Sequence, residues 1–385
     1  MLQQTQVKTV LPFWQRWMQA LPNIKALAKA RSQRIHKLWE GLGYYTRVRN
    51  MQRAAQAIVA LHGGKFPENF DDLLALPGIG RYTAGAICSI AFNQPKPILD
   101  GNVIRVLTRL FGIPGDPRQR NVNQRLWELA EQFVLAAATL ETPQAEKRAF
   151  ALDASPQFSH DGARNTKHAP PLCSHFNQSL MELGALICTP SQPKCAICPV
   201  VRFCAAHQQC CVDQLPTLRA RPRATRQRFV AFVAQKRGHF LVRQRSAGVR
   251  NAHLWEFPNI EVTPQSVSEK SFPSPPLEER AGERRHFPHA LPPFVGNFRT
   301  RSRDLDLQQA ARKTFGISLA TFAPLCTIRH SITRYRITLE VFHITGTDAA
   351  RCSRSAGTWL NRRQLLALPF ASAHRRILNK LGVRK

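Results

Sequence analysis

Four cysteines, Cys188, Cys195, Cys198 and Cys204, fall within seventeen residues in the spacing C-x6-C-x2-C-x5-C. Thiolates grouped in this way can hold a zinc ion or an iron–sulfur cluster, since both accept four-sulfur ligation, and spacing alone does not choose between them. A second group lies upstream. Leu76-Pro77-Gly78-Ile79-Gly80 leads into an alanine-rich helical run from about Tyr82 to Phe92, and Asp100 and Asn102 follow in an LDGNV turn after Pro95 and Pro97. Two glycines before a helix N-terminus let backbone N–H groups close on a phosphate, or simply make a tight turn. An aspartate in such a turn caps the next helix, or stabilises positive charge developing on a substrate. A phosphate grip facing a carboxylate suits chemistry on a nucleic acid.

These residues need a scaffold, and the first 70 positions supply helical spacing: Val7, Leu11, Trp14 and Met18, then Ile35, Leu38 and Leu42, then Met51, Ala54, Ala55 and Ile58. Trp14, Trp17 and Trp39 are expected in the core of this bundle. Leu42 and Tyr44 sit on a glycine-flanked turn, Gly41 to Tyr45, where a large side chain is poorly placed for burial and could wedge a duplex. Further helical patterns run through Val106, Leu107 and Leu110, through Leu126, Leu129 and Phe133, and from Phe176 into the cysteines. The composition between about 140 and 172 breaks this pattern with Pro, Ser, Asp and His and reads as a surface insertion. Arginines and prolines mark 211–226 as a basic linker. From Phe229 the period changes to that of a β-hairpin turning at Arg237 and Gly238, with further strand signal in ITRYRITLEVFHI. A low-complexity stretch at about 263–300 interrupts this second, α+β domain.

The 385 residues carry 55 Lys and Arg against 24 Asp and Glu, a net charge of +31, so a polyanion is the natural partner. No apolar run approaches the roughly 18 residues of a membrane span, so no membrane partner is expected. Ten cysteines without a signal peptide point to a reducing, cytoplasmic setting, nucleoid-associated in a bacterium, where clustered thiols bind metal more often than they pair. The other six cysteines read as incidental.

LPGIGRYTAGAI resembles the helix-hairpin-helix of the endonuclease III superfamily of DNA glycosylases, and ILDGNVIRV resembles the segment that holds that superfamily's catalytic aspartate. MLQQTQV at Met1 to Val7, GLGYY at Gly41 to Tyr45 and the four-cysteine spacing are similar to signatures of its adenine DNA glycosylases, the MutY family. The match is strong over about 1–138 and 174–210 and weaker after about 227. It implies a mainly α glycosylase domain at 1–210 with a [4Fe–4S] loop on Cys188, Cys195, Cys198 and Cys204, and a Nudix-like α+β domain at 227–385.

The resemblance also implies roles. Asp100 would stabilise an oxocarbenium-like sugar, with Asn102 orienting it or a water. Tyr82 stands where the endonuclease III branch has a Schiff-base lysine, which implies a monofunctional glycosylase. Gly78 and Gly80 would grip phosphate. Gln4 and Tyr44 would enter the base stack, and Leu2 and Gln178 would line or buttress a pocket for a flipped adenine. The family's 8-oxoguanine reader has a Phe-Ser-His turn. This chain offers Ile332, Thr333 and Arg334, so Thr333 keeps the hydroxyl. The helix Leu307 to Ile317 carries no glutamates for magnesium, so the second domain is expected to recognise rather than hydrolyse.

The expected activity is removal of adenine mispaired with 8-oxoguanine or guanine in duplex DNA, by a monomer. The alternatives are a DNA-binding protein of the same fold with little catalysis, and a pyrimidine-lesion glycosylase. In the family the general acid is a glutamate just before the MLQQTQ stretch; nothing in this sequence matches it, so the chain as written is expected to remove adenine slowly.

Overall fold

A computed structural model describes residues 1, 5–140, 172–219, 223–262, 300–316, 321–332, 334–344, 352 and 356–383, without the side chains of 300–306. Leu2, Gln4 and Thr333 lie outside the described residues, as do nearly all of the stretches 140–172 and 263–300. The chain divides into two compact units, one of Met18–Ala30 with Arg47–Arg221, the other of Met1–Trp17 and Arg31–Thr46 with Pro222–Lys385.

The N-terminal half is helical: α1 (Val7–Ala20), α2 (Ile24–Lys29), α3 (Ser32–Leu38), α4 (Thr46–Leu61), α5 (Phe70–Ala75), α6 (Arg81–Ala86), α7 (Gly101–Leu110), α8 (Arg120–Thr139), α9 (Cys173–Glu182) and the short α10 (Ala205–Gln208). The run expected from Tyr82 to Phe92 is α6 continued by a π-helical turn, Ile87–Ala91, and α9 ends in a second one, Leu183–Ile187. Such turns are uncommon and cluster at functional sites. Within the first unit, Ile98, Leu99, Val103, Leu107, Leu126 and Trp127 form one apolar cluster and Ala54, Ile58, Leu73, Leu76, Ala84 and Cys88 another. Between them they hold α5, α6 and α7, the elements that carry the candidate site.

Helix α1 corrects one expectation. Trp17 and Trp39 are buried and meet edge to face with ring centres 5.7 Å apart, but Trp14 is 50% exposed. Val7, Leu11 and Met18, on the same stripe as Trp14, are exposed too, and the helix buries Val10 and Trp17 instead. The helix has two apolar stripes, and the outward one has the more regular spacing.

The expected hairpin is β1 (Thr225–Lys236) and β2 (His239–Gln244), antiparallel with Lys236 opposite His239 across the Arg237–Gly238 turn. The remaining elements are β3 (Trp255–Glu256), β4 (Asn259–Glu261), α11 (Thr300–Phe315), β5 (Phe322–Ile332), β6 (Tyr335–Ile344), β7 (Thr358–Asn361), α12 (Arg362–Ala367) and α13 (Ser372–Lys380). The sheet runs β3-β2-β1-β6-β5, with β1 and β6 parallel from Thr225 opposite Tyr335 to Ala234 opposite Ile344. Strand side chains alternate, and here both faces are covered. Ala231 and Val233 pack with Leu365, Ile377 and Leu378 of α12 and α13, while Val230, Phe232 and Ala234 pack with Leu307, Ala310, Ala311 and Phe315 of α11. The result is a helix–sheet–helix α+β unit.

Candidate active site

Asp100 is the N-cap of α7. Its Oδ1 accepts the backbone N–H groups of Asn102 at 2.9 Å and Val103 at 2.8 Å, and its Oδ2 accepts the Asn102 side-chain amide at 3.1 Å. Capping and orientation are therefore one arrangement, since the cap that starts the helix also fixes the carboxylate. Asn102 is held in turn, its Oδ1 accepting from Arg105 Nη2 at 2.9 Å. Arg105, buried on α7, also donates to the carbonyls of Gly184 at 2.6 Å and Cys188 at 2.6 Å. Burial lowers its pKa while the neighbouring Cys188 thiol works in the opposite direction. One turn on, Arg109 is 2% exposed and reaches Cys188 Sγ at 3.4 Å, Thr189 O at 2.8 Å, and the carbonyls of Val212 and Leu215 at 3.0 Å each. Two arginines four residues apart on one helix thus tie the Asp100 turn to the cysteine loop.

Close packing completes the tie. A Cβ on Gly184 would lie 2.7 Å from Asn102 Cβ and 2.9 Å from its carbonyl oxygen, so only glycine lets the π turn before Cys188 touch the Asp100 turn. Buried Asn177 donates to Lys96 O at 3.0 Å and pins α9 to the segment before Asp100. None of Arg105, Arg109, Asn177 and Gly184 stood out in the sequence, because their partners lie about 80 residues or more away.

Tyr82 is half-buried and donates to Met181 Sδ at 3.6 Å. Burial and then the charge of Asp100 push its phenol pKa up, so it stays a protonated donor. Gly78 takes φ +82°, and the exposed Gly78 to Gly80 loop leads into α6 with nothing within 4 Å of a Cβ built on Gly80. Gln178 is exposed and its side chain folds back onto Ser174, with Nε2 at 3.0 Å from the Ser174 hydroxyl.

The four cysteines are half-buried free thiols. Burial, and then the thiols of Cys188, Cys204 and Cys198, raise Cys195 above its ordinary pKa, and Arg109 opposes them. Cys204 Sγ lies 3.5 Å from the Arg109 carbonyl oxygen. Among the described residues no three His, Cys, Asp or Glu side chains form a group that could hold a single metal ion. Arg109 thus touches this loop at two of its cysteines, through its guanidinium at Cys188 and its carbonyl at Cys204.

In the second unit, Tyr44 is 57% exposed with φ +49°, as a wedge requires, whereas Leu42 is buried at 7%. That overturns the expectation that both project: the turn sends Leu42 into the core and presents Tyr44 alone.

Residues 1–132 match the HhH-GPD superfamily of base excision DNA repair proteins, and residues 229–380 match the NUDIX domain. The chain is 42% identical over 223 residues to an adenine DNA glycosylase of Mus musculus, covering 58% of this chain and 37% of that protein. It is 32% identical over 308 residues to the adenine DNA glycosylase of Schizosaccharomyces pombe, covering 69% of this chain and 59% of that one. A solved thermostable thymine-DNA glycosylase aligns at 25% identity and TM-score 0.42, covering 54% of this chain and 81% of that one. The chain spans about a third of the length of its mouse, rat and human relatives. The chain joins an HhH-GPD superfamily segment to a Nudix-like one, and adenine DNA glycosylases are among the proteins it resembles in sequence.

Proposed function

We propose that this protein is a monofunctional DNA glycosylase that hydrolyses the N-glycosidic bond of adenine mispaired with 8-oxoguanine or guanine in duplex DNA. The observation that carries it is the Asp100 carboxylate, held at both oxygens by Asn102 and beside a tyrosine rather than an amine. As the bond between the sugar C1′ and the base nitrogen breaks, positive charge grows on the sugar and the ionised Asp100 stabilises it. Adenine departs as that bond breaks, and one water balances the step, its oxygen bonding to C1′ as hydroxyl and a proton ending on the departed base. The exposed Gly78 to Gly80 loop grips phosphate at the α6 N-terminus, and Tyr44 fills the stack that the flipped adenine vacates. Cys188, Cys195, Cys198 and Cys204 would hold a [4Fe–4S] cluster, which supplies a rigid, thiolate-anchored loop. Arg105 and Arg109 carry the position of that loop to the Asp100 turn.

The test is a single-turnover assay on duplex with adenine opposite 8-oxoguanine, using the chain and its Asp100→Asn variant. The expected result is adenine release that the variant loses by about 10² or more, with duplex affinity kept within a few-fold. Equal release by both proteins would remove Asp100 from the mechanism. The cofactor is checked separately: anaerobically purified protein should be yellow-brown with about four irons per chain. A colourless preparation with one zinc would refute the cluster.

A further inference from the structure

In the second unit the turn that presents Tyr44 is bound to residues 368–375, at the far end of the sequence. Glu40 Oε1 accepts from the Phe370 backbone N–H at 2.9 Å and from Arg375 Nε at 2.8 Å, and its Oε2 accepts from Lys37 Nζ at 2.9 Å. Lys37 Nζ and Arg375 Nη2 both donate to the Leu368 carbonyl, at 2.8 and 2.9 Å. The side chains of Glu40, Lys37 and Arg375 are 14%, 20% and 20% exposed, so this is a shielded cluster rather than a surface pair. Both ends are anchored. Phe370 is fully buried in the apolar layer under the β-sheet and bridges to Trp255, while Arg375 rides on α13. On the other side, Trp39 Nε1 donates to Gly43 O at 2.9 Å, the Gly41 N–H reaches Tyr45 Oη at 3.4 Å, and a Cβ on Gly41 would sit 3.1 Å from Phe13. Gly41 and Gly43 take positive φ without strain, but Tyr44 holds φ +49°, a shape that costs a non-glycine residue free energy and persists only where its surroundings hold it.

We propose that Glu40 is a positioning residue: through Arg375 and the Phe370 N–H, the Nudix-like domain holds the Gly41 to Tyr45 turn so that Tyr44 is presented to the duplex. The domain expected to read the opposite base therefore also sets the wedge. This rests on the reading that Tyr44 enters the base stack, and the test separates the two. The probe is a duplex with 8-oxoguanine opposite a non-cleavable 2′-fluoro analogue of deoxyadenosine, with 2-aminopurine one step from the pair. Binding of the wild-type chain should raise 2-aminopurine fluorescence as the stack opens. Tyr44→Ala should abolish the rise.

Arg375→Ala, which leaves Glu40 paired with Lys37, and Glu40→Ala should each cut the rise to less than about a third of wild type. Glu40→Gln, which keeps an acceptor for the Phe370 N–H, should retain more of it than Glu40→Ala. In a Tyr44→Ala background, Glu40→Ala should change nothing further. A fully folded Arg375→Ala protein with the wild-type rise, where Tyr44→Ala has lost it, overturns the positioning role and leaves the wedge intact. Persistence of the rise in Tyr44→Ala overturns the wedge itself. A Glu40→Ala protein that fails to fold leaves the decision to Arg375→Ala.

Discussion

At the scale of single residues, tyrosine at position 82 is what separates the proposed hydrolysis from a lyase reaction. A phenol kept protonated by burial and by Asp100 can donate a hydrogen bond but cannot form an imine with the sugar. Borohydride should therefore trap little covalent protein–DNA adduct, and Tyr82→Lys should increase trapping on a duplex with adenine opposite 8-oxoguanine. Efficient trapping by the unmodified chain would place it with the lyases. The Asp100 and Asn102 turn was legible in the sequence because its partners lie two and three residues away. Arg105 and Arg109 were not: one looks like any helical arginine until its partners at Gly184 and Cys188 arrive 79 and 83 residues later. Leu42 was misread because a glycine-flanked turn says that something projects without saying which residue does.

At the scale of elements, the helical stretches and the β1–β2 hairpin followed from periodicity and turn residues, whereas the π turns before Phe92 and Cys188 had no sequence signal. Nor did the ionic group under β3. Buried Glu256 meets Arg243 at 2.9 Å, is paired with Arg245, and lies 3.8 Å from His374 Nε2. Burial alone would raise its pKa, but the charges of His374, Arg245 and Arg243 outweigh it and hold the carboxyl below the ordinary glutamate value. His374 Nδ1 accepts the Phe257 N–H at 3.2 Å, and burial pushes this histidine down to about 4, against the pull of Glu256 and with the repulsion of Arg245, Arg243 and His330. The unfolded chain thus takes up the proton first. The stability that this residue contributes is expected to be level above about pH 7 and to fall as pH drops from about 6.5 towards 4. Denaturation midpoints measured against pH should show that slope in the wild type and lose it in His374→Gln, which can still accept from Phe257.

At the scale of the molecule, length suggested two or three domains and charge a polyanion partner, and the family matches fall at 1–132 and 229–380. They did not foretell that residues 5–17 and 31–46 would fall in one compact unit with the C-terminal sheet. Deleting residues 227–385 therefore removes the partners of Glu40 together with the candidate reader. In single-turnover assays the truncated protein should lose more on adenine opposite 8-oxoguanine than on adenine opposite guanine. Equal loss on both substrates would reduce the domain to general affinity.

The bond between Glu40 and Arg375 closes a gap of 335 residues. A ribosome adding about 5 to 20 residues per second makes Arg375 on the order of 20 to 70 s after Glu40. For that interval Glu40 and Lys37 wait without the Phe370 N–H, the Arg375 guanidinium and the Leu368 carbonyl that they finally meet. The support proposed to reach Tyr44 through Glu40 is therefore among the last contacts of this unit to form during synthesis, and a chain halted before residue 368 carries the cysteine loop and the Asp100 turn without it.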